Sequence, residues 1–542
     1  MRIYLNSIGI RLILIGFVLQ GQTYLHGQGD VSGDRIKGHV RFLSSDLLEG
    51  RGVGSRGGRL SEEYIAAVMT GYGLKPAGEK GTWFQTVPLV GMSTQPDSTL
   101  SASGPGKSVS FKWQDEFVGA SHRQNAVEEF DSEAVFVGHG IVSESEKWND
   151  YKGVDVKGKV VVLFTNEPQP ENPEVFKGRT LTYAGRWIYK FEQAARQGAL
   201  GCVIIHTTPT AGYGWQVVRN SWSKEDPQMQ LEPGKYAMAF AGWLTEEAGN
   251  KLLGMSGRNI AELMKAADSR DFRPMPLGVR LKGHLNAKIR QIQSRNVLGQ
   301  VEGSDPKQKD EYVMFSAHWD HLGIALPVNG DEIYNGAIDN ATGCGVVLEQ
   351  ARAFSQLGQK PKRSVLFAFW TAEESGLRGA EFYAAHPVQP LNKIAVNINY
   401  DALRPSGRTR DIVVTGAERT SSYPMVQEAA RRFDLEIATD AHPEQGSFYR
   451  SDHFMLARAG VPAFKVAPGP RVHGKLDKFA EDEFREYNTK HYHQPSDQFQ
   501  EDWDFASLEQ SARFGFLLGL NVANSEPLPR WNTGDEFAVS GR

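Results

Sequence analysis

Short apolar runs rich in β-branched and aromatic residues recur in the second half of the chain, at 312–315, 365–370 and 394–398. Runs this short, with little alternation, predict strands buried on both faces of a parallel sheet. Residues 340–357 place Val346, Val347, Leu348, Ala351 and Phe354 at helical spacing, the stripe expected of a helix packed on such a sheet. Further strands are expected at 411–414 and 461–466, and a closing amphipathic helix at 505–523. Upstream, 34–48 and 58–72 also show helical spacing. The link between them, 49–57, spells G-x-G-x-x-G, but a helical stretch precedes it where a dinucleotide site needs a strand, so it reads as a glycine-rich turn. From about Val118 the texture changes to strands at 133–138 and 160–164, a helix at 187–197 and a strand at 201–205. The patterning predicts an α/β fold with a mixed, mostly parallel sheet flanked by helices. A β-rich α/β domain over 118–290 separates an N-terminal part, 29–117, from the main domain, 291–542.

At 542 residues with 40% hydrophobic content, the chain is long enough for two or three compact units with real cores. Its 60 basic and 64 acidic residues leave a net charge of −4, so no strong field recruits nucleic acid or an anionic membrane. Arg2 and Arg11 precede an apolar run at 12–19. That order reads as a signal peptide over 1–28, too short for a membrane span, and implies secretion or a periplasmic location. No later segment has the unbroken apolar length of a span. The two cysteines, Cys202 and Cys344, lie in apolar segments and are expected to be buried thiols and not a disulfide.

Candidate chemistry gathers where the apolar runs end. His318 and Asp320 follow the first, Glu373 and Glu374 the second, and Asp401 the third; Asp339 starts the helix, and His493 lies downstream. Open parallel sheets bind ligands outside the carboxyl ends of their strands, so three strands delivering imidazole and carboxylates there predict one shared site. Taken alone, Asp339 reads as a helix cap. The accompanying acids point instead to a metal centre. Carboxylates in excess of imidazoles, without thiolates, suit hydrolytic zinc or a related divalent ion, and two ions better than one.

The segments Ser316-Ala317-His318-Trp319-Asp320-His321-Leu322-Gly323, Asn335-Gly336-Ala337-Ile338-Asp339-Asn340-Ala341-Thr342-Gly343, Thr371-Ala372-Glu373-Glu374-Ser375-Gly376 and Tyr492-His493-Gln494-Pro495-Ser496-Asp497 closely resemble the secreted dizinc aminopeptidases typified by aminopeptidase Y and aminopeptidase S. The inserted block resembles the protease-associated domain of that family. Leu48-Glu49-Gly50-Arg51-Gly52 and Tyr449-Arg450-Ser451-Asp452-His453-Phe454 are similar to family segments too. The resemblance implies two Zn2+ per chain and peptide substrates. It makes Asp339 the carboxylate bridging both ions, with His318 and Asp401 completing one and Glu374 and His493 the other. Glu373 is then the general base, the Tyr492 hydroxyl an oxyanion donor, Asp320 the acid that fixes the His318 ring, and Asp497 a candidate to orient His493. His321 is expected to be an outer residue. Asn340 stands where the family often has a second Asp, and the family's peptide bond at this point tends to be cis.

The physical chemistry of the residues is compatible with that division. Adjacent residues on an extended segment point to opposite sides, so Glu373 and Glu374 are not expected to grip one ion in the same way. A ligating histidine usually passes its other N–H to a carboxylate or carbonyl. A zinc carboxypeptidase of the same fold is the alternative reading; it needs a basic pocket, to which Arg450 or Arg404 could contribute. A glutaminyl cyclase and a receptor-like relative without metal fit the full set of ligands less well. The inserted domain is expected to act as a lid that limits substrate size.

Overall fold

The computed structural model describes residues 30–168 and 175–539, so the signal peptide expected at 1–28 lies outside the described residues. Strand Tyr312–His318 is central, running parallel to Ser364–Trp370 on one side and Ile394–Asn399 on the other. Every residue of these two neighbours is buried, which is why their sequences are apolar without alternation. Beyond Ile394–Asn399 come parallel Ala463–Pro468, antiparallel Asp411–Thr415 and Glu436–Ala438. Beyond Ser364–Trp370 the sheet turns antiparallel, through the long strand Met275–Val301 and then Phe84–Thr94. The result is the expected mixed, mostly parallel sheet with helices on both faces.

Successive residues of the central strand serve opposite layers: Val313, Phe315 and Ala317 join one core, Met314 the other. Helix Thr342–Ser355, buried from Thr342 to Phe354, fills the first layer with Gly33–Leu43 and Ala506–Asn524. There the Phe354 ring lies 4.5 Å from that of Phe516. A Phe354→Ala change in such a core costs roughly 3–5 kcal/mol. In the second layer helix Arg378–Ala385 sets Tyr383 5.2 Å from Trp370.

A second sheet is built on the first half of the long strand. Thr99–Gly104 and Val127–Phe136 flank residues 275–286, and the order continues through parallel Val160–Phe164, Gly201–Ile205 and Phe240–Leu244 to antiparallel Phe117–Ala120. Residues 99–111, which the patterning groups with the N-terminal part, therefore hydrogen-bond into the second sheet. Short alternating strands on both sides of Val118 give no break in composition by which to place that division.

The glycine-rich stretch is a turn, as expected, but a tight one. The first helix stops at Leu43, and a 3-10 segment, Asp46–Arg51, follows. At Gly50 φ is +66° and a Cβ would stand 2.4 Å from the Tyr334 carbonyl oxygen, so only glycine fits. Cys202 and Cys344 are free and buried. Among the described residues no helix is long and apolar enough to cross a membrane.

Candidate metal centre

His318 ends its strand opposite Trp370 in the register, and Ser316 lies opposite Asn399. Glu373 and Asp401 therefore leave neighbouring parallel strands beside His318, at the sheet edge where such folds bind ligands. The turns that carry them are strained. Ala372, Ala402 and His493 all have left-handed backbones, with φ of 54°, 53° and 55°. Non-glycine residues held this way gather at functional sites.

Asp339 does not cap the helix. The helix begins at Thr342, after an irregular turn over Ala337–Ala341, and the peptide between Asp339 and Asn340 is cis. Asn340 does the capping: its Oδ1 accepts the Gly343 N–H at 2.9 Å while its Nδ2 donates to the Tyr400 carbonyl at 2.9 Å. An aspartate here would face that carbonyl with an oxygen, which explains why asparagine suits this chain. The Asp339 carboxylate is left free to face the imidazoles.

His318 Nε2 lies 3.2 Å from Asp339 Oδ1 and 3.4 Å from Asp401 Oδ1. His493 Nε2 lies 3.0 Å from Glu374 Oε2 and 3.6 Å from Asp339 Oδ2. His321 Nδ1 is 2.5 Å from Glu374 Oε1. Two trios of potential ligands, His318/Asp339/Asp401 and His321/Asp339/Glu374, thus share Asp339. His493 Nε2 is buried and has no hydrogen-bond partner among the described residues. Buried carboxylates clustered around imidazole nitrogens can hold a cation, and the oxygen-rich, thiolate-free set fits zinc.

The electrostatics divide the acids. Burial works against each charge, yet Asp339 stays well below the usual carboxylate range because His318 and His493 face it, and Lys465 helps to hold Asp401 low. Lys465 Nζ is 3.5 Å from Asp401 Oδ2. Burial drives Glu373 well above its ordinary value, with Glu374 and Asp452 adding to the rise against the pull of His318. A buried carboxyl pushed up in this way can hold a proton in transit, as a general base must. Tyr492 is pushed well above the ordinary phenol range by burial and by Asp339, so its hydroxyl keeps its proton. Its ring lies 4.0 Å from that of His493.

Asp320 and Asp497 stand differently from the sequence expectation. His318 Nδ1 lies 3.1 Å from the main-chain oxygen of Asp320 and 3.9 Å from its carboxylate. The carboxylate accepts the Glu373 N–H instead, at 3.1 Å. Asp497 does not touch the His493 ring. Its oxygens accept the N–H groups of Ile338 and Asp339 at 2.9 and 3.1 Å, so it fixes the Asp339 turn. Ser221 Oγ, from the second sheet's side of the molecule, meets His493 Nδ1 at 2.8 Å.

Two other residues escaped the sequence reading. Arg51 is 1% exposed, and its guanidinium donates to the carbonyls of Leu43, Trp319, Asn335 and Gly336 at 2.6–2.8 Å. It ties the first helix to the turns bearing His318 and Asp339. Lys465 could have been suspected, as a lone charge inside the apolar run 461–466.

Two cavities, of about 290 and 470 Å³, open beside the centre. Glu373, Tyr492, Tyr213 and Arg450 line both. The smaller is walled by Trp187, Trp222 and Trp243, from the second sheet's side of the molecule, the larger by Arg404, Lys465 and Phe484.

Residues 296–514 match the sequence profile of peptidase family M28. The chain is 23% identical over 410 residues to a Caenorhabditis elegans glutamate carboxypeptidase 2 homolog, covering 64% of this chain and 47% of that protein. It is 27% identical over 268 residues to a probable lipoprotein aminopeptidase of Mycobacterium tuberculosis, covering 46% of this chain and 49% of the relative. The matches span about half the length of these relatives. Among solved structures, the fold is similar to an aminopeptidase from Aneurinibacillus sp. strain AM-1, with a TM-score of 0.54 at 19% identity over 92% of this chain and 95% of that one. All the residues of the two trios, together with Glu373, Tyr492, His493 and Asp497, fall inside the segment that matches the profile of peptidase family M28.

Proposed function

We propose that the protein is a zinc-dependent exopeptidase, an aminopeptidase that releases N-terminal residues from peptides with the help of two zinc ions. The observation that carries the reading is the pair of ligand trios sharing Asp339 beside the elevated carboxyl of Glu373. His318 and Asp401 would complete one ion, Glu374 and His493 the other, with Asp339 common to both. His321 then serves as the hydrogen-bond partner that sets Glu374 Oε1.

Zinc bound there would supply an acidified water near neutral pH and a Lewis acid for the scissile carbonyl. Glu373 takes the proton of the attacking water and passes it to the leaving amine nitrogen. The Tyr492 hydroxyl, still protonated, donates to the carbonyl oxygen as negative charge develops on it. Asp320 positions Glu373 through its main-chain N–H, and Asp497 holds the turn of Asp339. The inserted part, read as a protease-associated domain over 118–290, walls the approach with tryptophans and limits the size of substrate. The charge-then-apolar start of the chain supports export by a signal peptide to the periplasm or the medium.

A carboxypeptidase of the same fold is the second reading. Arg186 and Arg450 line the smaller cavity, and each has a buried Nε without a hydrogen-bond partner among the described residues. A substrate carboxylate would satisfy both. Zinc content by mass spectrometry, with hydrolysis of free and N-blocked leucyl peptides, tests the choice. Near two zincs per chain and cleavage of the free-amine peptide alone are expected; equal cleavage of the blocked peptide would overturn the aminopeptidase in favour of the carboxypeptidase.

A further inference from the structure

Helix Trp215–Trp222 belongs to the inserted part and is anchored in that part's own core. Val217 and Val218 are buried, and the Trp222 ring packs 5.6 Å from Phe191 and 6.2 Å from Trp243. Its polar edge reaches the metal centre. Asn220, fully buried, donates from Nδ2 to the main-chain oxygen of His493 at 3.0 Å, and Ser221 Oγ lies 2.8 Å from His493 Nδ1.

The direction of the second bond follows from the hydroxyl's other contact. Ser221 donates its only proton to the Val217 carbonyl, 2.8 Å away. Toward His493 it must therefore accept, which places the ring proton on Nδ1. Nε2 is then bare, and it is this atom that faces Glu374 Oε2 and Asp339 Oδ2. Asn220 meanwhile holds the carbonyl of a residue whose backbone is left-handed, at φ 55°. One bond sets the tautomer and tilt of the ring, the other the backbone that carries it.

We infer that Ser221 and Asn220 are positioning residues for the metal ligand His493, so that the inserted part takes direct part in retaining one of the two ions. The inference rests on the two-zinc reading above. It assigns the inserted part a task beyond walling the cavity: without this helix edge, His493 can rotate or shift its proton to Nε2, and either change removes a ligand.

The test is zinc affinity of the full chain, measured by competition with a chromophoric chelator, together with the visible absorption of the cobalt-substituted protein. Wild type is expected to hold two ions. Ser221→Ala is expected to hold one of them about 10–100-fold more weakly, the usual cost of losing a ligand's hydrogen-bond partner, and to change the cobalt spectrum. Ser221→Thr, which keeps the hydroxyl, is expected to restore both. Asn220→Asp removes the donor to the His493 carbonyl without touching Ser221 and is expected to act in the same direction, so a folding defect in one variant does not decide the outcome. Melting of the zinc-free proteins reports such a defect. Two ions held by Ser221→Ala as tightly as by wild type would overturn the inference while leaving the two-zinc reading intact. Fewer than two ions on wild type would overturn both.

Discussion

The carboxylate of Asp320 accepts the main-chain N–H of Glu373 at 3.1 Å, while the His318 ring is served by Asp320's own carbonyl. The side chain and main chain of one residue thus hold two different members of the site. Asp320→Ala keeps the carbonyl and loses the carboxylate. The expected outcome is a fall in kcat of about 10–100-fold with zinc content unchanged. A loss of zinc in the same variant would return Asp320 to the role of fixing His318.

Glu373→Gln leaves the shape of the side chain and removes its capacity to take a proton. Activity is expected to fall about 10²–10⁴-fold, the range of general acid–base catalysis, with both zincs retained. Kinetics beside metal analysis of the same preparation check this. Undiminished turnover would place the base elsewhere.

Arg51→Met should weaken the fold and the metal centre together. Four carbonyls would lose a charged donor in the interior, and each buried group left unpaired costs about 1–3 kcal/mol. A clear drop in Tm is expected even for the zinc-free protein. Arg51→Lys should recover little, because a single ammonium cannot span the sites that the planar fork reaches.

His39 gives a pH dependence remote from the candidate metal centre. Its ring nitrogens meet the hydroxyls of Tyr64 and Tyr72 at 2.9 and 3.0 Å, and burial lowers its pKa to about 4. The folded state therefore resists protonation, whereas the unfolded chain accepts a proton near pH 6.5. The stability is complete above that value and is lost as pH falls towards 4. The shift corresponds to about 3 kcal/mol at 1.36 kcal/mol per unit. Chemical denaturation between pH 7 and 4 should show a steeper loss in wild type than in His39→Gln.

The sheet and its ligand-bearing edge were legible because central parallel strands have to be apolar throughout, so a histidine or acid at the end of 312–315, 365–370 or 394–398 stands out. Residues that act through geometry were not. Asp497 stood out as a partner for His493, but the two amide N–H groups it serves are far away in sequence and nothing local marks them. Ser221 belongs to a helix whose apolar spacing speaks only of its own core, and its meeting with His493 exists only once two distant parts of the chain have docked. Arg51 read only as part of a glycine-rich turn, because its four partners are backbone oxygens with no side-chain signature. The helix at 340–357 shows the same limit, since Asp339 and Asn340 exchange the capping role that residue type alone assigned to the acid.

The long strand Met275–Val301 contributes one half to each sheet. It works as a shared beam, so neither sheet can come apart without exposing a pairing edge of the other. Loss of the second sheet by mutation or proteolysis would leave the first sheet with a severed member, not merely an open mouth. The two parts should therefore melt as one cooperative unit.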